Sequence, residues 1–190
     1  MTNRPHGQVL IRIQKVDISA KGLSPVAKPH FVDHPLSQEI EKLARSSDHR
    51  TLAIWAADCA ERVLPLFMKE HPEDDRPWQS ITKLRGWIDN GEFHMDDVRR
   101  ASLNAHAAAR SAPEGSPARF AARACGQAMA TAHVKTHSIA AAWYAAKAVW
   151  AGGGNAEGVR LERGWQFDHL VALSDRPSVH IIVPPRSQGP

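Results

Sequence analysis

The alanine-rich stretch from Ala118 to Trp150 constrains this chain more than any other feature; it reads ARFAARACGQAMATAHVKTHSIAAAWYAAKAVW. Alanine has the highest helix propensity, and its small side chain lets helix axes approach to about 8 Å. Two helices are predicted here, either side of a short break that carries His133 and His137. Ser116-Pro117 opens the first, with serine as N-cap and proline at the first helical position. Its small-residue face is Ala121, Ala124, Cys125, Ala128 and Ala132. The second begins near Thr136 or Ser138, with Ile139, Ala142, Trp143, Ala146, Val149 and Trp150 at helical spacing, and Gly152-Gly153-Gly154 ends it.

The same signals place further helices on both sides. One is expected over Ser37 to Ala44. A second runs from Asp48, its N-cap, to about Lys69, with Leu52, Trp55, Ala56, Cys59, Val63 and Leu66 on one face and a kink at Pro65. A third starts at Pro77, turns Trp78, Ile81, Leu84, Arg85 and Ile88 to one side, and stops at Asn90-Gly91. A fourth covers Asp96 to Ser111, with Val98, Ala101, Ala105 and Ala108 as its packing face. A seventh, capped by Asn155, reaches about Leu173 with Leu161, Trp165, His169 and Leu173 as its stripe. Short connections favour antiparallel neighbours, and no fixed period favours a solenoid. The expected fold is all-α: a compact antiparallel bundle of about six to seven helices over 37–173. An extended leader over 1–36 and a flexible tail over 174–190 flank it. The leader holds one short strand signal, QVLIRIQKVDI, before Pro25, Pro29 and Pro35 forbid a long helix. The VHIIV run of the tail could pair with it.

At 190 residues and 43% hydrophobic, the chain suits one domain with its own core. Net charge is +4, with lysine and arginine scattered and only Arg99-Arg100 adjacent, which disfavours nucleic-acid binding. Cys59 and Cys125 are too few for a disulfide framework and sit on apolar faces, as buried thiols do. No apolar run reaches the roughly 18 residues of a bilayer span, and the N-terminus lacks a signal-peptide core. The expectation is a soluble cytoplasmic protein with no membrane association.

Few residues carry chemistry. His133 and His137 form H-x-x-x-H, but no glutamate stands where a zinc protease has its base, and the motif straddles a helix break. Capping of helix ends is the simpler role, and no metal is expected. Asp74, Asp75, Arg76, Pro77 and Trp78 gather charge beside an aromatic at a helix start. They read as a cap with an aspartate–arginine pair, or as a recognition surface anchored by Trp78. Arg123 and Gln127 lie one turn apart, and Asp58 is the acid expected to meet Arg123 if that helix is central. Asp58 and Arg62 also stand one turn apart on their own helix. Glu92, His94, Asp96 and Asp97 read as capping residues. Phosphate-loop, dinucleotide and serine-hydrolase signatures are absent, so no catalytic residue and no cofactor are assigned.

Five blocks in order, DHRTLAIWAADCAERVLPLF, DDRPWQSITKLRGWIDNGEF, AARACGQAMATAH, HSIAAAWYAAKAV and ERGWQFDHL, resemble a bacterial family of immunity proteins of polymorphic toxin systems, the immunity-five-like group. The resemblance covers Asp48 to Leu173. It implies an all-helical domain and, as function, the binding and neutralising of a cognate protein toxin by occlusion, without catalysis. Asp75, Arg76, Trp78, Arg123, Gln127, His133 and His137 are the candidate binding residues. Two other readings stand beside it. One is a small-molecule-binding protein or enzyme with an inter-helix pocket lined by His133, His137, Arg123, Gln127 and Asp58. The other is a nucleic-acid binder with salt-sensitive retention. An exposed alanine face could also serve a homodimer.

Overall fold

The computed structural model describes residues 30–175. Its helices are α1 (Leu36–Ser46), α2 (His49–Glu70), α3 (Arg76–Asn90), α4 (Met95–Ser111), α5 (Pro117–Ala130), α6 (His137–Val149) and α7 (Asn155–Ser174), with one π turn over Trp150–Gly154. Among the described residues there is no strand. The QVLIR segment and the VHIIV run lie outside them.

Local signals set the helix ends. Asp48 accepts the Thr51 amide at 2.9 Å and its hydroxyl at 2.6 Å, so two donors at the start of α2 are satisfied by one carboxylate. Ser116 accepts the Arg119 amide at 3.1 Å and starts α5 the same way. Gly91 takes the left-handed conformation (φ 71°) and donates its amide to the Trp87 carbonyl, which ends α3. Asn155 Oδ1 accepts the Glu157 and Gly158 amides at 2.9 and 3.3 Å and so starts α7. The helix of α2 continues through Pro65 to Glu70. Helix α5 stops at Ala130, two residues earlier than its small-residue pattern reads; Thr131 to Thr136 form the turns before α6.

Helix α5 is the hub and packs against α2, α3, α4 and α6. Its buried residues are alanines with Cys125, Gly126 and Met129, which is why four neighbours can crowd it. Ser102 of α4 and Ser80 of α3 donate to the carbonyls of Gly126 and Cys125 at 2.9 and 3.3 Å, hydroxyl contacts that only short side chains permit. The bulk of the core comes from α2 and its neighbours: Trp55, Phe67, Leu52, Ile40, Ile81, Leu84 and Leu170 are fully buried. Fully burying side chains of that size contributes about 1.5–3 kcal/mol each.

Three helix faces differ from their expected ones. Trp78 is not inward on α3 but 51% exposed, and Pro77 and Ser80 take the packing positions. On α6 the buried stripe is Ser138, Ala141, Ala142, Ala145, Ala146 and Ala148, with Trp143 at the surface, because α5 leaves no room for an indole. On α7 Leu161 is exposed, and the buried stripe is Val159, Glu162, Arg163, Gln166, Leu170 and Leu173. A helical period is present there, but half of its inner face is polar.

Candidate functional site

The polar face of α7 is satisfied by partners from three other segments. Arg163, only 3% exposed, donates Nε and Nη2 to the two carboxylate oxygens of Asp33 at 2.9 and 2.7 Å and Nη1 to Gln166 Oε1 at 2.8 Å. Gln166 in turn donates Nε2 to Glu162 at 2.9 Å and to the Ala142 carbonyl at 3.1 Å, while its own carbonyl accepts Trp55 Nε1 at 2.9 Å. Glu162 also accepts Arg62 at 3.2 Å. This network fixes α7 against α2 and α6 and orients every buried polar atom it contains, which burial demands.

Beside it lies a second network. Arg85 of α3 bridges Asp58 and Glu61 of α2 at 2.5 and 2.7 Å, and Asp58 holds His169 Nε2 at 2.6 Å. The His169 ring stacks on Trp165, and the Arg62 guanidinium lies 3.8 Å from the centre of the Trp165 ring. The expected partners are therefore corrected. Asp58 pairs with Arg85 and His169 rather than Arg123, and Arg62 reaches Glu162 and Trp165 rather than Asp58. In each case a neighbouring helix supplies a closer group than the pairing read along the chain.

A cavity of about 800 Å³ opens on the Asp33–Arg163 pair. Ile40, Leu52, Ile139 and Trp143 supply its apolar lining, and Lys135 and Glu41 stand among its polar residues. None of His133, His137, Arg123, Gln127 or Asp58 lines this cavity, which lies between α1 and α6. Asp33 and Arg163 were not singled out from the sequence. The only signal for them is the polar step at Glu162, Arg163 and Gln166, which reads as solvated surface until partners are known.

The candidate binding residues fall in two places. At the start of α3, Arg76 pairs with Asp74, through Nε at 2.8 Å and Nη2 at 2.6 Å. That contact holds the Asp74 carboxyl below its ordinary range. Asp75 accepts the Gln79 amide group at 2.7 Å, and Trp78 stands exposed beside them. On α5 and α6, Gln127 Oε1 accepts His137 Nδ1 at 2.7 Å, which leaves His137 Nε2 as an acceptor in the neutral ring. His133 is exposed in the turn, its ring centre 5.3 Å from that of His137. Burial and then the neighbouring His133 hold His137 below its ordinary pKa. Among the described residues, no group of three or more His, Cys, Asp or Glu side chains could hold a metal ion.

His106 of α4, not anticipated from sequence, borders the same face. Burial, then Arg123, Arg110 and His137, push its pKa down to about 4, so the ring is neutral near pH 7. Its ring lies against Gly126, where a Cβ would come within 2.7 Å of Cε1. The Nδ1 atom of His106 is buried without a hydrogen-bond partner.

A family model described as "Imm-5 like putative immunity protein" matches residues 42–173, from within α1 almost to the end of α7. No curated protein and no solved structure matches the chain. No described helix is long and apolar enough to cross a membrane.

Proposed function

The chain belongs to the Imm-5-like immunity protein family, and from that premise we propose that it binds a cognate toxin domain in the cytoplasm and neutralises it by occlusion, without catalysis. The observation that carries this reading is the family match, which extends across both candidate surfaces. Those surfaces offer the side chains that dominate protein interfaces. Trp78 is exposed next to an arginine already held in place by Asp74, and Arg123 lies beside Gln127 and the histidine pair. Tryptophan and arginine are the commonest anchors, and a side chain fixed before binding loses less entropy on docking.

The test is co-expression with any toxin domain encoded beside the gene. Restored growth and a stoichiometric complex by size-exclusion chromatography are expected. Unrelieved toxicity with no complex would overturn the reading.

The cavity favours a second reading, a small-molecule-binding protein. Its volume lies within the range of ligand sites, and apolar side chains beside the Arg163–Asp33 pair are how such sites orient a ligand. A metabolite screen by thermal shift tests it. A ligand that raises the melting temperature of the native protein but not of Ile139→Trp, which narrows the cavity, would support it. A ligand acting equally on both would refute the site.

A further inference from the structure

Acidic residues are distributed very unevenly along the chain. From Val98 to Ala156 there are seven lysines and arginines and one acidic residue, Glu114, whereas from Phe31 to Asp97 eight face fourteen acidic residues. The helices α5 and α6 contain no acid, and the acids of α4 are confined to Asp96 and Asp97 in its first turn. These three helices are neighbours through α5, so the imbalance in sequence becomes one cationic face.

The cations on that face are not consumed within the fold. Among the described residues, Arg110 and Arg123 make no ion pair, and of the seven only Arg100 makes one, with Asp97. Lys147 rests over Phe120 and Trp143, 4.6 and 4.4 Å from the ring centres, and Phe120 stacks on Tyr144. Arg123 is one turn from Phe120, which joins the guanidinium and aromatic portions. Leu103 on α4 and Val134 in the turn before α6 are 57% and 42% exposed. Arginines among exposed apolar and aromatic side chains are the composition of a protein interface. Its complement is a surface rich in carboxylates, which guanidinium groups bind through paired hydrogen bonds.

We propose that the acid-free α4–α5–α6 face, with Arg110 and Arg123 at its centre, docks a carboxylate-rich face of a protein partner. The proposal rests on the neutralisation reading in taking that partner to be the toxin domain. Exposed Leu103 and Val134 favour protein over nucleic acid, whose binding sites combine cations with stacking rings and phosphate contacts.

The experiment measures affinity for the purified toxin domain by biolayer interferometry at about 50 and about 300 mM salt. Arg110→Glu/Arg123→Glu is compared with Lys69→Glu/Lys83→Glu, an equal charge change on exposed positions of α2 and α3. The first is expected to weaken binding about 100-fold, and the second to stay within about twofold. The milder Arg110→Gln/Arg123→Gln, expected to cost about tenfold, covers a failure of the first to fold, which circular dichroism reveals. Wild-type binding that is unaffected by either change on this face would overturn the surface and leave the neutralisation reading intact.

If wild type does not bind the toxin domain, the neutralisation reading fails, and two further probes decide the face. Binding of a short polyglutamate peptide that is lost in the Arg110/Arg123 variants supports an acidic protein partner. Preference for a short DNA duplex, or no binding of the peptide at low salt, overturns it.

Discussion

Helix propensity and packing give opposite signs for Gly126→Ala. In a helix interior, alanine is favoured over glycine by about 1 kcal/mol. At Gly126, however, the new Cβ would lie 2.7 Å from His106 Cε1 and 2.9 Å from Nδ1 and Nε2. Comfortable carbon contact is about 3.7 Å, so the ring must retreat by about 1 Å. Overpacking of this kind costs about 1–3 kcal/mol. The imidazole turns about two side-chain bonds, and its buried Nδ1 has no hydrogen bond to lose, so the lower part of that range applies. We expect Gly126→Ala to be neutral or to destabilise by about 1 kcal/mol in the wild-type background. With His106→Ala, where no ring opposes the methyl group, the same change should stabilise by about 1 kcal/mol. Urea denaturation of the four proteins measures the difference, a coupling of about 1–2 kcal/mol.

Histidine NMR titration gives an independent readout. His106 is expected near pKa 4 in wild type, and nearer its usual 6.5 once the methyl group drives the ring outward. The sign for stability follows. Between pH 6.5 and 4 the unfolded chain binds the proton that the folded protein refuses. The contribution of His106 is therefore fully present above pH 6.5 and is lost as pH falls towards 4. Full burial would make that loss about 3 kcal/mol; the ring is partly exposed, so screening reduces it to about 1–2 kcal/mol. Gly126→Ala should flatten this acid slope. Equal stabilisation by Gly126→Ala in both backgrounds, with an unshifted His106 titration, would refute the contact.

Three further outcomes are expected. Arg163→Met strands Asp33 and removes the donor to Gln166, so urea unfolding should show a loss of about 2–4 kcal/mol, tempered by the partial exposure of Asp33. Cys59 and Cys125 are fully buried, and burial pushes both thiols well above their ordinary pKa. Ellman's reagent should leave both untouched in the folded protein at pH 8 and titrate both in denaturant. Asp48→Ala removes the cap of α2 and should lower stability by about 1 kcal/mol in thermal or urea melts.

What the sequence made legible was local. Caps at Asp48, Ser116 and Asn155, the stop at Gly91 and the break at Thr131–Thr136 each depend on a few adjacent residues, and their chemistry is visible in the chain. What it hid was set at long range. The partners of Asp58 are 27 and 111 residues away, beyond any helical spacing rule. On α7 the period was correct but its phase was taken from Leu161 and Trp165. The true inner face carries Glu162, Arg163 and Gln166, polar groups that only a folded neighbour can satisfy. The cationic face escaped notice because lysine and arginine are scattered; the order lies in where aspartate and glutamate are missing. The pocket went unseen because the residues of α1, α2, α6 and α7 that shape it share no motif.

The crowding of α5 bears on how this protein can diversify. Of its 14 residues, only Pro117, Arg119, Phe120, Arg123 and Gln127 are not buried, and Pro117 is committed to starting the helix. The other four positions face outward along one stripe, where a change disturbs fewer contacts than at the buried alanines, although Phe120 packs on Tyr144 and Gln127 holds His137. Lineages that meet new antagonists would exchange side chains along that stripe and its borders on α4 and α6, while the alanines beneath stay fixed. On the proposed docking role, the hub would so separate heritable architecture from adjustable specificity, within a single helix and at intervals of one turn.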